Sequence, residues 1–227
     1  YTTLFRSYFM TSFSEENYLK AIFHLQKRSA GGVSTNSLAE KLETKASSVS
    51  EMVKKLSRKN LVIYRKYQGV SLSDKGRETA VEIIRKHRLW EYFLVEKLNF
   101  SWTEVHDVAE QLEHIQSEKL VAELDKFLGF PRKDPHGDPI PDTNGNFQSL
   151  EKVLLAEVEP GQKGLCVGVK DSSREFLEYL DKNKIALGKE IQVLDREEFD
   201  QSLIIQLEDE KLHISKIIAN NLFIKTI

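Results

Sequence analysis

The chain has 227 residues, enough for two or three small domains, with a formal net charge of −2 and a single cysteine, Cys166. One cysteine excludes an internal disulfide and a Cys-rich zinc site, and no apolar run approaches the ~20 residues that span a bilayer. No basic stretch followed by an apolar core marks a secretory signal, so a cytoplasmic location without a membrane is expected.

The charge is unevenly spread. Between Lys41 and Arg88 thirteen Lys/Arg stand against five Asp/Glu, a net of +8 that leaves −10 for the remainder. A basic face for nucleic-acid phosphates is one reading of this asymmetry, and a solvated charged surface is the other.

Taken in order, Tyr1–Phe9 carry no periodic pattern and read as a non-native leader before Met10. Ser14 is placed to cap a helix with Glu15 and Glu16 in its first turn and Tyr18, Leu19, Ile22 and Phe23 as its buried stripe. After Gly31-Gly32 a short helix is expected over 35–42, then a tight connection at Thr44-Lys45-Ala46, then a helix over 47–58. The second of these turns Val49, Met52, Val53 and Leu56 inward and offers Ser47, Ser48, Ser50, Lys54, Lys55 and Arg58 on its other face. The period then shortens: 61–64 and 70–72 read as strands joined by Arg65-Lys66-Tyr67-Gln68-Gly69. Helix, turn, helix and basic hairpin is the order of a winged helix-turn-helix.

A long helix is expected from Asp74 to about Leu98, and another from the capping box Ser101-Trp102-Thr103-Glu104 to about Ile115. A third runs near 117–128 and ends at Gly129 and Pro131. The stretch from Asp134 through Pro141 is rigid and turn-rich. Beyond a linker, 165–169, 190–194 and 202–207 read as strands, and 173–181 as a helix, of a small β-barrel.

The chemistry concentrates between His87 and His114. On one continuous helix His106, Glu110, Glu113 and His114 would share a face, at i, i+4, i+7 and i+8. The preceding helix adds His87 and Glu91 at i, i+4. Any one His–Glu pair reads most simply as a surface ion pair. Six such residues on consecutive helices read as a divalent-cation site, because crowded carboxylates repel one another without an ion. Nitrogen and oxygen donors without a thiolate point to Mn²⁺ or Fe²⁺ rather than to structural zinc. His24, His136 and His213 have no such neighbours in sequence and read as packing or surface residues, and Cys166 as a small buried hydrophobe.

Several blocks carry a resemblance: Glu16-Asn17-Tyr18-Leu19, Ser47-Ser48-Val49-Ser50, Arg85 through Glu91, Val105-His106-Asp107, Glu113-His114, and Gly137 through Pro141. By these, residues 13–141 resemble the diphtheria-toxin-repressor family of metal-dependent bacterial repressors, including its manganese-transport-regulator branch. The C-terminal part is similar to the SH3-like, ferrous-transport-A-type domain of longer members. The resemblance implies an α+β protein: a winged helix-turn-helix domain (10–73), an all-α metal-binding and dimerisation domain (74–143), a linker (144–160) and an SH3-like β-barrel (161–227). It also implies His87, Glu91 and His106 as an ancillary metal site and Glu110, Glu113 and His114 as the regulatory one. Asn17 stands where the family uses a Met or Asp ligand, Lys20 where the manganese branch has a Glu, and Glu175 near a position that lends the ancillary site a further ligand. Lys20, when protonated, would pair with a site carboxylate rather than ligate.

The implied function is a repressor of metal-uptake genes that binds a palindromic double-stranded operator as a homodimer when Mn²⁺ or Fe²⁺ is bound. Ser47, Ser48 and Ser50 would then meet the major groove, with Lys45, Lys54 and Arg65 among the phosphate contacts. The residues alone leave two rivals: a metal-independent winged-helix regulator sensing a small organic ligand, and a metallo-enzyme. Against the second, no nucleophile motif or glycine-rich phosphate loop is found in the sequence.

Overall fold

The computed structural model describes residues 11–26, 31–65, 68–148 and 151–227. The leader and Met10 therefore lie outside the described residues, as do Lys66 and Tyr67 of the wing. The chain divides into two compact units. One holds the residues up to Lys86 with Glu113–Gln116, and the other holds His87–Leu112 with Ser117–Ile227.

The first unit is a winged helix. It comprises α1 (Phe13–Gln26), α2 (Thr35–Lys41), α3 (Ala46–Arg58), the hairpin β1 (Val62–Arg65) and β2 (Gly69–Leu72), and the start of α4 (Asp74–Leu98). The cap of α1 is Ser12 rather than Ser14: Ser12 Oγ accepts from the Glu15 amide at 3.4 Å, and Glu15 Oε2 accepts from the Ser12 amide at 2.8 Å. This is the reciprocal arrangement that satisfies two free donors of a first turn. Leu19 and Ile22 of α1, Leu38 of α2, Val49, Val53 and Leu56 of α3, and Val70 of β2 are buried to within 1 % of complete. The i, i+4, i+7 spacing of the α3 residues thus fixes which face of α3 is turned outward. Val33 extends the hairpin by pairing with Val70 through two backbone hydrogen bonds of 2.7 and 2.8 Å.

The second unit begins with the rest of α4, then α5 (Val105–Leu112) and α6 (Glu118–Phe127). Ser117 caps α6 through its hydroxyl. A mixed domain follows: β3 (Val153–Leu154), a 3₁₀ turn (Leu155–Glu157), β4 (Lys163–Val169), α7 (Arg174–Lys182), β5 (Glu190–Arg196), β6 (Leu203–Leu207), β7 (Glu210–Ile214), α8 (Lys216–Ala219) and β8 (Leu222–Thr226). The six strands run β3-β8-β4-β5-β6-β7, all described pairings antiparallel. The chain is α+β, but this domain is an open sheet and not the closed barrel expected from the strand pattern. Its end strands β3 and β7 do not pair with each other among the described residues. Residues 153–158, expected within the linker, contribute β3 and bury Leu155 and Val158 in the sheet core. Phe176, Leu177 and Leu180 of α7 enter the same core, as does Cys166, whose burial pushes its thiol pKa up to about 11.

Among the described residues no helix is long and apolar enough to cross a membrane.

Candidate metal centre and DNA-reading face

α4 places His87 and Glu91 one turn apart on a buried face, and α5 brings His106 onto them. His87 Nε2 lies 3.0 Å from Glu91 Oε1 and 3.2 Å from His106 Nδ1, and His106 Nδ1 lies 3.3 Å from Glu91 Oε1. Adjacent ligands of an octahedral ion stand about 3 Å apart when each is about 2.1 Å from the ion, so this triangle has the edge lengths of one ligand face. The Glu91 carboxylate is 3 % exposed, whereas the His106 side chain is 47 % exposed and leaves the triangle open on that side. Glu110 sits beside it, with Oε1 3.6 Å from His106 Nε2.

A second group of donors shares Glu91 with the first: Asp134 and His136, all three buried. His136 Nδ1 lies 3.7 Å from Glu91 Oε1. Its Nε2 lies 3.0 Å from the carbonyl oxygen of Trp102, to which it donates, so the lone pair of Nδ1 is turned towards Glu91 in the neutral ring. The loop is held by Asp134 Oδ1, which accepts from the amides of His136 and Asp138, each at 2.9 Å. Val169 of β4 donates its amide to the His136 carbonyl at 3.0 Å. That close approach requires Gly137: its φ is +84°, and a Cβ there would stand 2.1 Å from the Val167 carbonyl oxygen.

The electrostatics of this centre favour an added cation. Burial disfavours the Glu91 carboxylate, yet hydrogen bonds from His106, His136 and His87 outweigh it and hold the group well below the ordinary carboxylate range. Asp134 goes the other way, raised to about 7 by burial and then by the charge of Glu91, with Arg88 opposing. Burial disfavours the imidazolium of His136, but the hydrogen bond and charge of Glu91, with Asp134 behind it, raise it to about 9. Two carboxylates and three imidazoles are thus crowded so closely that protons substitute for missing positive charge. The donor set fits a borderline-to-hard divalent ion.

In the first unit, Glu113 and His114 lie in the turn after α5. The helix stops at Leu112, so these two do not continue the face of His106 and Glu110 as the helical spacing implied. They are gripped by α1 instead. His114 Nδ1 is 2.6 Å from Glu16 Oε2, Gln116 Nε2 donates to Glu16 Oε1 at 2.8 Å, and Phe13 stacks on the imidazole. With Nδ1 engaged, His114 offers Nε2 as its ligand atom, 3.9 Å from Glu113 Oε1. Lys20 Nζ donates to both oxygens of the buried Glu113, at 2.7 and 2.8 Å. Asn17 carries a buried Oδ1 that accepts no hydrogen bond among the described residues. One residue before Glu16, Glu15 is buried between Lys59, at 2.8 Å, and Lys55, at 3.2 Å, both from the region of α3.

The outward face of α3 is the candidate reading surface. Lys45 occupies the N-cap and no side chain caps the helix, so Ser47 and Ser48 are not capping residues. Both are exposed, as are Lys45, Lys54 and, on the wing, Arg65. Ser50 is half-buried and returns its hydroxyl to the Ala46 carbonyl at 2.9 Å. The free amides of the first turn and the exposed cations suit a phosphate backbone.

Three family models match the chain: an iron-dependent repressor N-terminal DNA-binding domain over residues 10–70, an iron-dependent repressor metal-binding and dimerisation domain over 73–142, and a FeoA domain over 153–226. A solved manganese-dependent transcriptional repressor in complex with manganese is 36 % identical, with a TM-score of 0.84, over 94 % of this chain and 100 % of that one. The chain belongs to the iron-dependent, diphtheria-toxin-repressor family. Among its curated relatives, the iron-dependent repressor IdeR of Mycobacterium leprae is 36 % identical over 126 residues, 56 % of this chain and 54 % of that protein. The match thus spans about half the length of that relative. The diphtheria toxin repressor of Corynebacterium diphtheriae is 28 % identical over 193 residues, 80 % of this chain and 84 % of that protein.

Against that family pattern, His87, Glu91 and His106 converge among the described residues, and Glu110 is their neighbour. Glu175 does not join either donor group; it is exposed in the first turn of α7. His136, read from sequence as a loop residue without a cluster around it, instead stands beside Glu91 as a candidate donor, and Asp134 accompanies it. The available signal was an Asp and a His two apart in a stretch stiffened by Pro135 and Pro139, where a rigid loop can carry ligands without any helical period. Glu16 belonged to a block that carried the resemblance, but its grip on His114 had no signal in the sequence.

Proposed function

We propose that this chain is a metal-dependent DNA-binding transcriptional regulator, a cytoplasmic homodimeric repressor that holds a palindromic double-stranded operator when Mn²⁺ or Fe²⁺ is bound and controls metal-uptake genes. The observation that supports this best is a pair of donor triads that share Glu91, His87–Glu91–His106 and Glu91–Asp134–His136, all nitrogen and oxygen donors without thiolate. These residues would hold one ion. Glu113 and His114, with Asn17 as an oxygen donor, would hold the regulatory one. When bound, the ion supplies fixed positive charge; it carries out no reaction, and the protein acts as a switch rather than an enzyme.

The chain's own residues supply the coupling. Glu16 holds the His114 ring, and the adjacent Glu15 is tied to Lys55 and Lys59 beside the reading helix. Whatever steadies His114 therefore steadies the first turn of α1 and, one residue away, α3. For a ligand to move such a two-state equilibrium from 1:99 to 99:1 takes about 5.5 kcal/mol of differential binding. The exposed Lys45, Lys54 and Arg65 then neutralise phosphates, so affinity falls steeply with salt.

The test is operator binding by fluorescence anisotropy, with chelator and with Mn²⁺ or Fe²⁺. Tight binding with metal alone is the expected result. Equal affinity in both conditions removes metal control and leaves the rival regulator that senses an organic ligand.

A further inference from the structure

We infer that Lys20 is a resident cation of the α1 clamp: its ammonium takes the place of a second metal ion at Glu113, so this site accepts a single ion and α1 is partly anchored before any metal arrives. The inference rests on the regulator reading above and goes beyond it by fixing how many ions the clamp takes.

Glu113 is fully buried, and both of its oxygens accept from Lys20 Nζ, at 2.7 and 2.8 Å. The Lys20 side chain is itself only 14 % exposed, so this is not a solvent-screened surface pair. A buried carboxylate left without such a partner carries a heavy desolvation cost. The contact joins residues 93 positions apart, so it is a tertiary strut and not a local helix pair. One turn earlier on the same face of α1, Glu16 presents the opposite charge to His114 and Gln116. The order acid then base along α1 thus meets imidazole and amide then acid in the 113–116 segment.

What remains for a metal is a smaller donor set. His114 offers Nε2, Glu113 its carboxylate, and Asn17 a buried Oδ1 that has no hydrogen-bond partner among the described residues. That is enough for one ion. A second ion bridging Glu113 would have to displace the ammonium and leave it in a nearly dry site. The Glu91 centre differs in kind, since its central carboxylate is surrounded by three imidazoles, each able to offer a ring nitrogen to a metal, whereas both Glu113 oxygens face an ammonium that has no lone pair to offer.

The full chain is stripped of metal and dialysed against Mn²⁺, and bound ions per protomer are counted by electron paramagnetic resonance for the wild type and Lys20→Glu. One additional ion in the variant is expected; equal counts overturn the inference. In parallel, amide hydrogen exchange of 13–23 is followed in chelator, without DNA, for the wild type, Lys20→Arg and Lys20→Met. Exchange is expected to quicken by at least about tenfold in Lys20→Met and to stay near wild type in Lys20→Arg. No quickening in Lys20→Met overturns the inference equally. If the single substitutions do not fold, Lys20→Met combined with Glu113→Gln removes both charges, and its exchange in chelator is compared with that of Glu113→Gln alone. Near-identical rates support the strut being the ion pair, and a further quickening overturns it. The exchange arm needs neither operator nor metal, so it stands even if the protein proves not to be metal-controlled. Conversely, a wild type that takes up no Mn²⁺ sinks the regulator reading by itself.

Discussion

The two candidate metal regions handle the same problem, buried negative charge, in different ways. Around Glu91 imidazoles and a second carboxyl group adjust: His136 is held protonated to about 9 and Asp134 rises to about 7, with Arg88 as a fixed cation 3.3 Å from Asp134. Around Glu113 a lysine closes the account of charge directly, through two short hydrogen bonds to one carboxylate. On the proposed reading the first region would take an ion among its ring nitrogens and carboxylates, whereas the second already contains the Lys20 ammonium. The lesson is that counting carboxylates and histidines overstates metal capacity unless the cations that reach them are counted too.

The largest effect that sharpens this contrast is expected at Glu91. It is the one residue common to both donor groups, so Glu91→Gln should weaken Mn²⁺ binding at that centre by about 100-fold or more, the upper end of what removing merely a supporting residue costs. Isothermal titration calorimetry against a competing chelator reads this. Because ligand binding raises stability by about 2.7 kcal/mol at a hundredfold excess over Kd, the variant should also lose most of the metal-induced rise in Tm. The Lys20–Glu113 contact should be untouched, so exchange of α1 in chelator should match wild type. Undiminished binding in Glu91→Gln would erase the distinction between the two regions.

Gly137 comes next. Gly137→Ala would drive a Cβ into the Val167 carbonyl and hold an alanine at positive φ, so the loop must move away from β4 and take His136 with it. A loss of about 2 kcal/mol in stability is expected in urea unfolding, with a roughly tenfold fall in metal affinity. An affinity unchanged despite the lost stability would mean that His136 is not a ligand.

These residues also mark the limit of what could be read from the sequence. His87 and Glu91 were legible because a helix puts i and i+4 together, and the winged helix was legible because its period changes from that of a helix to that of a strand within a basic stretch. Asp134 and His136 were not, since a turn-rich loop has no period and its partner Glu91 lies more than 40 residues away. The helical reading failed at Glu113 and His114 because α5 ends at Leu112, and what orients them is α1, about 100 residues earlier. The barrel reading failed in closure only: alternating apolar residues specify strands with one buried face but do not say whether the outer strands meet.

On the α1 side a pH-dependent effect is expected at Glu15. Burial opposes its ionisation, but the hydrogen bonds from Lys59, the Ser12 backbone and Lys55 outweigh this and lower its pKa. A depressed folded-state pKa means that its stabilising contribution is complete above the unfolded value, near about 4.3, and is lost as pH falls through the folded value. Glu15→Gln should therefore have a lower urea midpoint than wild type at about pH 7, and the gap should narrow as pH falls through the lowered folded-state value. A gap that persisted in acid would assign the loss to packing rather than to the lysine pair.

The smallest effect is expected at Trp102, which hydrogen-bonds to the Glu91 centre through its backbone carbonyl alone. Its carbonyl accepts from His136 Nε2 at 3.0 Å, while its indole donates to Asp181 on α7 at 2.7 Å, and the ring stacks parallel to the imidazole with centroids 6.4 Å apart. Trp102→Phe removes the indole donor but keeps an aromatic face and leaves the carbonyl in place. The lost hydrogen bond is exposed, so about 1 kcal/mol or less of stability should go, and water can replace the indole at Asp181. Metal affinity should stay within about twofold of wild type, because the group that fixes the tautomer of His136 is the main chain. A tenfold fall would instead make the ring and its tie to α7 part of what aims His136, and would bring the sheet domain into control of the centre through a side chain that the Glu113 clamp has no counterpart for.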